Sequence, residues 1–335
     1  MNKYSAFTIS VLIVIFTLTI NLKHAAADNQ SYDECLLKAL KNAGSNTTAA
    51  EIRESCKKVT ETDQANPTLI EKRVQKEEES NDNPFAITSH KQNYVLPFAY
   101  NSSTNSDPYS LNWDNLTETE IKFQISLKYK LFDNIVKDNG DVYLAYTSLS
   151  LWQAYNKGIS SPFRETNYEP EVWFQFETNW DLGGVRNRMI SIGASHQSNG
   201  RSGSLSRSWN RLYMNIFFEK GDFAFSLKPW WRIPENEKNS PDDSNGDDNP
   251  DIDKYMGYGE LGMIYKWRDN DFTLLLRNNL RTSENNGAIQ LGWSFPLYKK
   301  LKGYVQYFNG YGETLIDYNA SSNRIGVGLL LTDWL

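Results

Sequence analysis

The chain has 335 residues, enough for one large domain or two smaller ones. It carries 41 acidic side chains against 35 basic ones, a net charge of −6, and only two cysteines. That balance excludes a chain built to grip nucleic acid through a basic surface.

Residues 7–20, FTISVLIVIFTLTI, form an apolar run behind Lys3, and AAA at 25–27 offers small residues for cleavage. The pattern predicts a secretory signal peptide over 1–27. A retained membrane anchor is the alternative, for which the run is short. Removing 1–27 takes away Lys3 and Lys23 and no acid, so 33 basic groups then face 41 acidic ones, a net charge of −8. No later apolar run reaches the ~18 residues of a transmembrane helix. The mature chain is therefore either soluble or crosses a membrane with strands.

Residues 28–83 differ in kind from the rest. Ser31 precedes YDECLLKALKNAG, a helical pattern stopped by Gly44. Thr48 and Glu51 form a capping box ahead of a second helix, AAEIRESCKKV. Cys35 and Cys56 fall one on each helix. In an exported chain this predicts a disulfide-stapled helical hairpin, with two free thiols as the alternative. The charged run EKRVQKEEESNDN (71–83) reads as a linker. The domains expected are the leader 1–27, a periplasmic extension and linker 28–83, and a β domain 84–335.

From about residue 121 the pattern alternates. Ile121, Phe123, Ile125, Leu127, Tyr129 and Leu131 are interleaved with Lys122, Gln124, Ser126, Lys128 and Lys130. Val172, Phe174, Phe176 and Trp180 alternate with Trp173, Gln175, Glu177 and Asn179. Phe223, Phe225 and Leu227 oppose Ala224, Ser226 and Lys228, and the closing RIGVGLLLTDWL sets Ile325, Val327, Leu329 and Leu331 on one face. A soluble sheet with one wet face also alternates. Two features favour an antiparallel transmembrane β-barrel: the segments recur to the end of the chain, and several exceed the ~9–11 residues a tilted strand needs to cross a bilayer. About eleven such segments follow residue 120, and YVLPFAYN (94–101) makes a twelfth. The connections alternate between tight, as in EKGD (219–222), and long, as in 234–251. Short turns on one side and long loops on the other is the outer-membrane habit.

One stretch carries chemistry. Ile190, Ile192 and Ala194 share a parity that runs on into His196 and Ser198. In the next strand Asn210 has the parity of Leu212, Met214 and Ile216. A hairpin between the two strands sets Ser, His and Asn side by side on the lipid-facing surface, at one rim of the apolar band. A serine nucleophile needs a base within hydrogen-bond reach, and the base needs a third group to fix its tautomer. Asparagine does this without a charge, which matters beside lipid. A bare H-x-S is a weak signal, and a rim asparagine that bonds its own turn is common. Here all three residues share the lipid parity, and after the leader only His90 and His196 remain.

HQSNGRSGSLSRSWNRLY (196–213), with SSPFRETNYEP (160–170), DDNPDIDKYMGY (247–258) and GYGETLIDYN (310–319), closely resembles outer-membrane phospholipase A. The resemblance runs in order from about Asn83 to Leu335 and does not clearly cover 28–82. It implies a twelve-stranded barrel, a Ser-His-Asn triad facing lipid, and calcium-dependent hydrolysis of phospholipid acyl esters by a homodimer. By motif, Ser198 is the nucleophile, His196 the base and Asn210 the orienting group, and the Gly200 N–H faces the oxyanion. The calcium ligands implied are the Arg201 carbonyl and the Ser206 hydroxyl, with the Ser161 carbonyl from the other subunit. Asp248 matches a further ligand associated with the monomer. The chain departs from the pattern at Gly203, where an aspartate is expected, at Ser148, where a glutamine is expected at the dimer interface, and at Leu335, where an aromatic is usual. Gly203 puts the monomer-type calcium site in doubt. The rival readings are a lipid A deacylase barrel, a passive porin and an adhesin using the acidic loop 234–251. Against the porin, bulky interior residues such as Trp173, Glu177, Arg211 and Tyr213 would fill so narrow a barrel.

Overall fold

The computed structural model describes residues 67–81, 86–109, 116–240, 243 and 246–333, together with 35–37, 39–41, 48–53 and 56 nearer the N-terminus. The expected signal peptide, 1–27, and the terminal Trp334 and Leu335 lie outside the described residues.

Two compact units are present. In the first, 35–37, 39–41, 49–53 and 56 are helical. The capping box forms as the spacing predicts: the Thr48 N–H donates to Glu51 Oε2 at 2.8 Å and the Glu51 N–H to Thr48 Oγ1 at 3.3 Å. Cys35 and Cys56 are joined in a disulfide with Cα atoms 5.6 Å apart, inside the span such a bond allows.

The second unit, Thr68–Phe176 with Trp180–Leu335, is the barrel. It begins with helix α1 (Leu69–Asn81) and the two-residue strand β1 (Thr88–Ser89). Twelve long strands follow: β2 (Asn93–Asn101), β3 (Thr119–Phe132), β4 (Asp141–Trp152), β5 (Phe163–Asp181), β6 (Arg186–Ser198), β7 (Ser208–Lys220), β8 (Phe223–Ile233), β9 (Gly259–Trp267), β10 (Asn270–Asn278), β11 (Gly287–Tyr298), β12 (Leu301–Tyr311) and β13 (Ser321–Thr332). Each pairs with its neighbours in sequence, and β13 pairs antiparallel with β2, so the sheet closes and leaves no edge. Tight connections such as 221–222, 268–269 and 299–300 sit at one end. The long ones, including 102–118, 234–258 and 312–320, sit at the other.

The alternation decides the two faces. Ile125, Leu127, Tyr129, Leu144, Val172 and Leu227 are exposed on the outer wall, whereas Lys122, Ser126, Lys128, Glu171 and Lys228 are buried inside. This is the lipid-out, polar-in arrangement of an outer-membrane barrel. Trp173, Arg211 and Tyr213 are buried in the interior as expected. Glu177 is exposed instead, because it lies near the far end of a 19-residue strand.

The interior charges are satisfied in networks. Glu120, fully buried, accepts from Arg164 Nε at 2.8 Å, Gln153 Nε2 at 2.9 Å and Arg324 Nη2 at 2.8 Å. Arg164 also bonds Asp317, and Arg324 bonds Glu313. Losing one partner of a buried ion network leaves uncompensated charge, which costs about 3–5 kcal/mol. Glu120→Ala should therefore lower unfolding stability by about that amount, read as a denaturant midpoint shift in liposomes. A midpoint equal to the parent's would show that the network contributes little.

Residues 71–83 differ from the expected linker. Leu69–Asn81 is the helix α1, packed against inward-facing side chains at the short-turn end. Ile70 buries against Met189, Phe217 and Ala224. Glu71 pairs with Arg188 at 2.6 Å and Glu77 with Lys128 at 2.7 Å. The charges that suggested a solvated linker are the contacts that seat the helix. At the other end the 312–320 loop turns inward, with Leu315 and Ile316 buried and the Leu315 N–H donating to Asn167 Oδ1 at 2.9 Å. The lumen is thus occupied from both ends.

Candidate active site on the outer barrel wall

Strands β6, β7 and β8 carry the candidate site on their outer faces at the long-loop end. The register pairs His196 with Asn210 and Ser198 with Ser208. Directly opposed residues on one face lie close enough for their side chains to meet. The imidazole of His196 is exposed, and its Nδ1 lies 2.8 Å from Asn210 Oδ1. Ser198 follows His196 by two residues on the same face, about 7 Å along the strand. Among the described residues no hydrogen bond joins Ser198 to His196. Free hydrolases commonly hold this pair loosely until substrate arrives.

The turn after Ser198 is built around a buried asparagine. Asn199 Oδ1 accepts from the Arg207 N–H at 3.0 Å and the Arg201 N–H at 3.3 Å, and its Nδ2 donates to the Leu205 carbonyl at 2.8 Å. Gly200 beside it has φ of +64°, and a Cβ there would stand 3.2 Å from the Tyr168 ring. Both facts favour glycine at that position. Arg201 is pinned by its own side chain, which donates to the Arg164 carbonyl at 2.6 Å and the Phe163 carbonyl at 3.2 Å.

The implied metal residues divide. Ser206 and Asp248 come together, Ser206 Oγ donating to Asp248 Oδ2 at 2.8 Å. Ser208 donates to the same oxygen at 3.0 Å. Nothing in the sequence patterning singled out Ser208. Lys238 Nζ meets the other oxygen, Oδ1, at 2.5 Å. Burial raises the Asp248 carboxyl, but Lys238, Ser206 and Ser208 outweigh it and hold it below the usual carboxylate range. A carboxylate and two hydroxyls are the hard oxygens that calcium takes, and this cluster already attracts a cation. Ser161 stands apart in the 153–162 loop, with a positive φ of 50° and its carbonyl accepting from Trp152 Nε1 at 2.8 Å. Among the described residues no bond links it to Ser206 or Asp248.

Sequence reading missed Glu235, just beyond β8, whose Oε1 accepts from Asn210 Nδ2 at 2.9 Å. The register signals it: Asn210 opposes Ile233, and Glu235 continues that outward parity. The acidic loop holding it is more than a solvated loop, since Arg232 grips Asp247 at 2.5 Å and the Ser208 N–H donates to Asn249 at 3.1 Å.

A closed twelve-stranded barrel, apolar outside and polar within, is an outer-membrane β-barrel, and a histidine–asparagine pair on its lipid-facing wall beside a serine is the equipment of a hydrolase. The family model for phospholipase A1 matches residues 70–331, and the chain belongs to that family. The phospholipase A1 of Escherichia coli K12 is 39% identical over 257 residues, covering 76% of this chain and 84% of the relative. A solved structure of E. coli outer membrane phospholipase A, an asparagine-to-alanine active-site mutant, superposes with a TM-score of 0.69 at 38% identity, covering 76% of this chain and 95% of its own. The Salmonella typhi outer membrane phospholipase, solved as a dimer with bound calcium, gives the same TM-score, identity and coverage. A separate model, described as four-cysteine protein VF_A0006-like, matches residues 12–70. This chain has two cysteines rather than four.

Proposed function

We propose that this chain is a calcium-dependent outer-membrane phospholipase A that hydrolyses the sn-1 and sn-2 acyl esters of glycerophospholipids and lysophospholipids. The observation that carries the reading is the 2.8 Å contact between His196 Nδ1 and Asn210 Oδ1 on the outer wall, with Ser198 on the same face. A hydrolytic group on that surface meets lipid directly.

Ser198 Oγ attacks the acyl carbonyl carbon as His196 Nε2 takes its proton. The new C–O bond forms while the carbonyl electron pair moves onto oxygen, where the Gly200 N–H donates to it. Collapse breaks the ester bond, and the departing alcohol takes the proton from Nε2. Water then enters by the same route and frees the fatty acid from Ser198. Asn210 keeps Nδ1 protonated throughout, so Nε2 stays the base. That an asparagine serves in the active site of the E. coli protein supports this assignment.

Ser206, Asp248 and the Arg201 carbonyl would hold calcium, with the Ser161 carbonyl of a second copy completing the set across a homodimer. When bound, the cation adds positive charge where the oxyanion develops. The calcium-bound dimer of the S. typhi relative supports this part of the reading. Asp248 already holds Lys238, so a cation entering there displaces the ammonium. The expected residence is the outer membrane of a Gram-negative bacterium, reached by cleavage of 1–27, with the extension 28–83 in the periplasm. The packing of α1 inside the barrel argues for moving the start of the barrel domain from residue 84 to about 68.

The test is fatty-acid release from phospholipid vesicles by the refolded full chain, with calcium and with chelator, run beside conductance in planar bilayers. Calcium-dependent release without steady conductance is expected. Steady conductance with no release would favour the porin, which the buried Trp173, Arg211 and Tyr213 in the lumen argue against.

A further inference from the structure

The catalytic reading leaves one group unused. Asn210 offers its carbonyl oxygen to His196 and its NH2 to Glu235, at 2.8 Å and 2.9 Å. We propose that Glu235 is a positioning residue that sets the His196 tautomer through Asn210. This inference rests on the reading of Ser198, His196 and Asn210 as the hydrolytic group.

Donors and acceptors decide which way the Asn210 amide turns. An ionised carboxylate only accepts hydrogen bonds. The Asn210 side chain must therefore turn its NH2 toward Glu235. Its Oδ1 is then left facing His196 Nδ1, and an oxygen facing a ring nitrogen requires that nitrogen to carry the proton. The lone pair is consequently on Nε2, the nitrogen that serves Ser198. If the amide flipped, its oxygen would face the Glu235 carboxylate, acceptor against acceptor, and its NH2 would favour a lone pair on Nδ1. The base would then sit on the wrong nitrogen.

An asparagine without such a partner is indifferent, since its two ends have the same shape and differ only in bonding. An aspartate needs no orienting, but it would put a charge against the imidazole at the lipid rim. Glu235 removes the ambiguity from one residue further out. The backbone allows this because β6, β7 and β8 are consecutive, with His196 opposite Asn210 and Asn210 opposite Ile233. Two residues past Ile233 the chain has left the strand and Glu235 is half-buried over the amide. The neighbouring cations are engaged elsewhere, Lys238 with Asp248 and Arg232 with Asp247.

The test uses the full refolded chain at saturating calcium, with ring nitrogens followed by 15N NMR and hydrolysis measured in parallel. The leader removed, His90 and His196 are the two histidines to resolve, and a His196→Ala sample assigns them. The parent should show His196 protonated at Nδ1. Glu235→Gln should keep that tautomer and most of the rate, because its side-chain oxygen still accepts from Asn210. Glu235→Leu should give a mixture of tautomers and a kcat lower by about tenfold at unchanged KM, the worth of one charge-assisted hydrogen bond. Glu235→Lys, which can only donate, should invert the amide, place the proton on Nε2 and lower kcat to the level of Asn210→Ala. An Nδ1–H tautomer unchanged in Glu235→Leu and Glu235→Lys overturns the proposal, whatever the rates. Loss of rate in Glu235→Leu without a tautomer change also overturns it, pointing to a role in the loop alone. Full hydrolysis by Ser198→Ala would instead defeat the underlying catalytic reading, which keeps the two failures separate.

Discussion

Ser198→Ala should abolish phospholipid hydrolysis, with kcat falling by about 10⁴-fold or more, as removal of a triad nucleophile does elsewhere. The barrel should still form, because Ser198 stands at the last position of β6 and no structural hydrogen bond depends on its hydroxyl among the described residues. Circular dichroism of the refolded variant should keep the parent's strand signal. Asn210→Ala should be milder. It removes the group that orients His196 and leaves nucleophile and base in place, so a residual rate survives. Hydrolysis by Ser198→Ala at the parent's rate would sink the mechanism.

Calcium removal should have an effect of comparable size, and on two observables together. In the proposed site one chain would offer Asp248 and Ser206, which already meet, and the Arg201 carbonyl, whereas calcium takes about six to eight oxygens. Water and a second copy must supply the rest, so chelation should lower cross-linked dimer and hydrolysis in step by mass action. Lys238 sets the threshold. Its ammonium sits on Asp248 Oδ1, and calcium in the proposed site would have to compete with it. Lys238→Met should shift the calcium midpoint to a concentration lower by about tenfold, equivalent to ~1.4 kcal/mol, measured by calorimetry on the solubilised chain. Ser206→Asn should move it the other way, with high calcium restoring part of the rate. Because Asp248 is held below the usual carboxylate range, its pairing with Lys238 should persist through mildly acid pH and fade only as pH falls through that lowered value. A chelated monomer as active as the calcium-loaded sample would defeat the dimer account and leave the triad standing.

Much of this is legible in the sequence itself, for a physical reason. A two-residue period is a local property, so the outward stripe of Ile125, Leu127 and Tyr129 and the shared parity of His196, Ser198 and Asn210 can be read from neighbours in the chain. Pairing across a tight hairpin is nearly as local, which is why His196 and Asn210 meet as expected. The calcium residues came from resemblance rather than from periodicity, since loop residues such as Arg201 and Ser206 follow no repeat.

What escaped was long-range and polar. Helix α1 hides in a charged run because it buries little beyond Ile70 and is seated by Arg188 and Lys128, more than fifty residues away in sequence. The inward loop at 312–320 is held by Asn167, Arg164 and Lys122 on distant strands. Glu235 and Lys238 sit in a stretch whose composition suggests nothing but solvent. Their partners Asn210 and Asp248 are fixed by the fold, not by spacing.

The central claim is that Ser198 carries the acyl group between the two halves of the reaction, and trapping that intermediate tests it most directly. The refolded chain with calcium would be mixed with an acyl ester whose second step is slow, quenched in acid, digested and mapped by mass spectrometry. The account predicts one added acyl group on the peptide containing Ser198, absent from Ser198→Ala and from chelated samples. An acyl group on a different residue, or none at all while the same sample releases fatty acid, would contradict it.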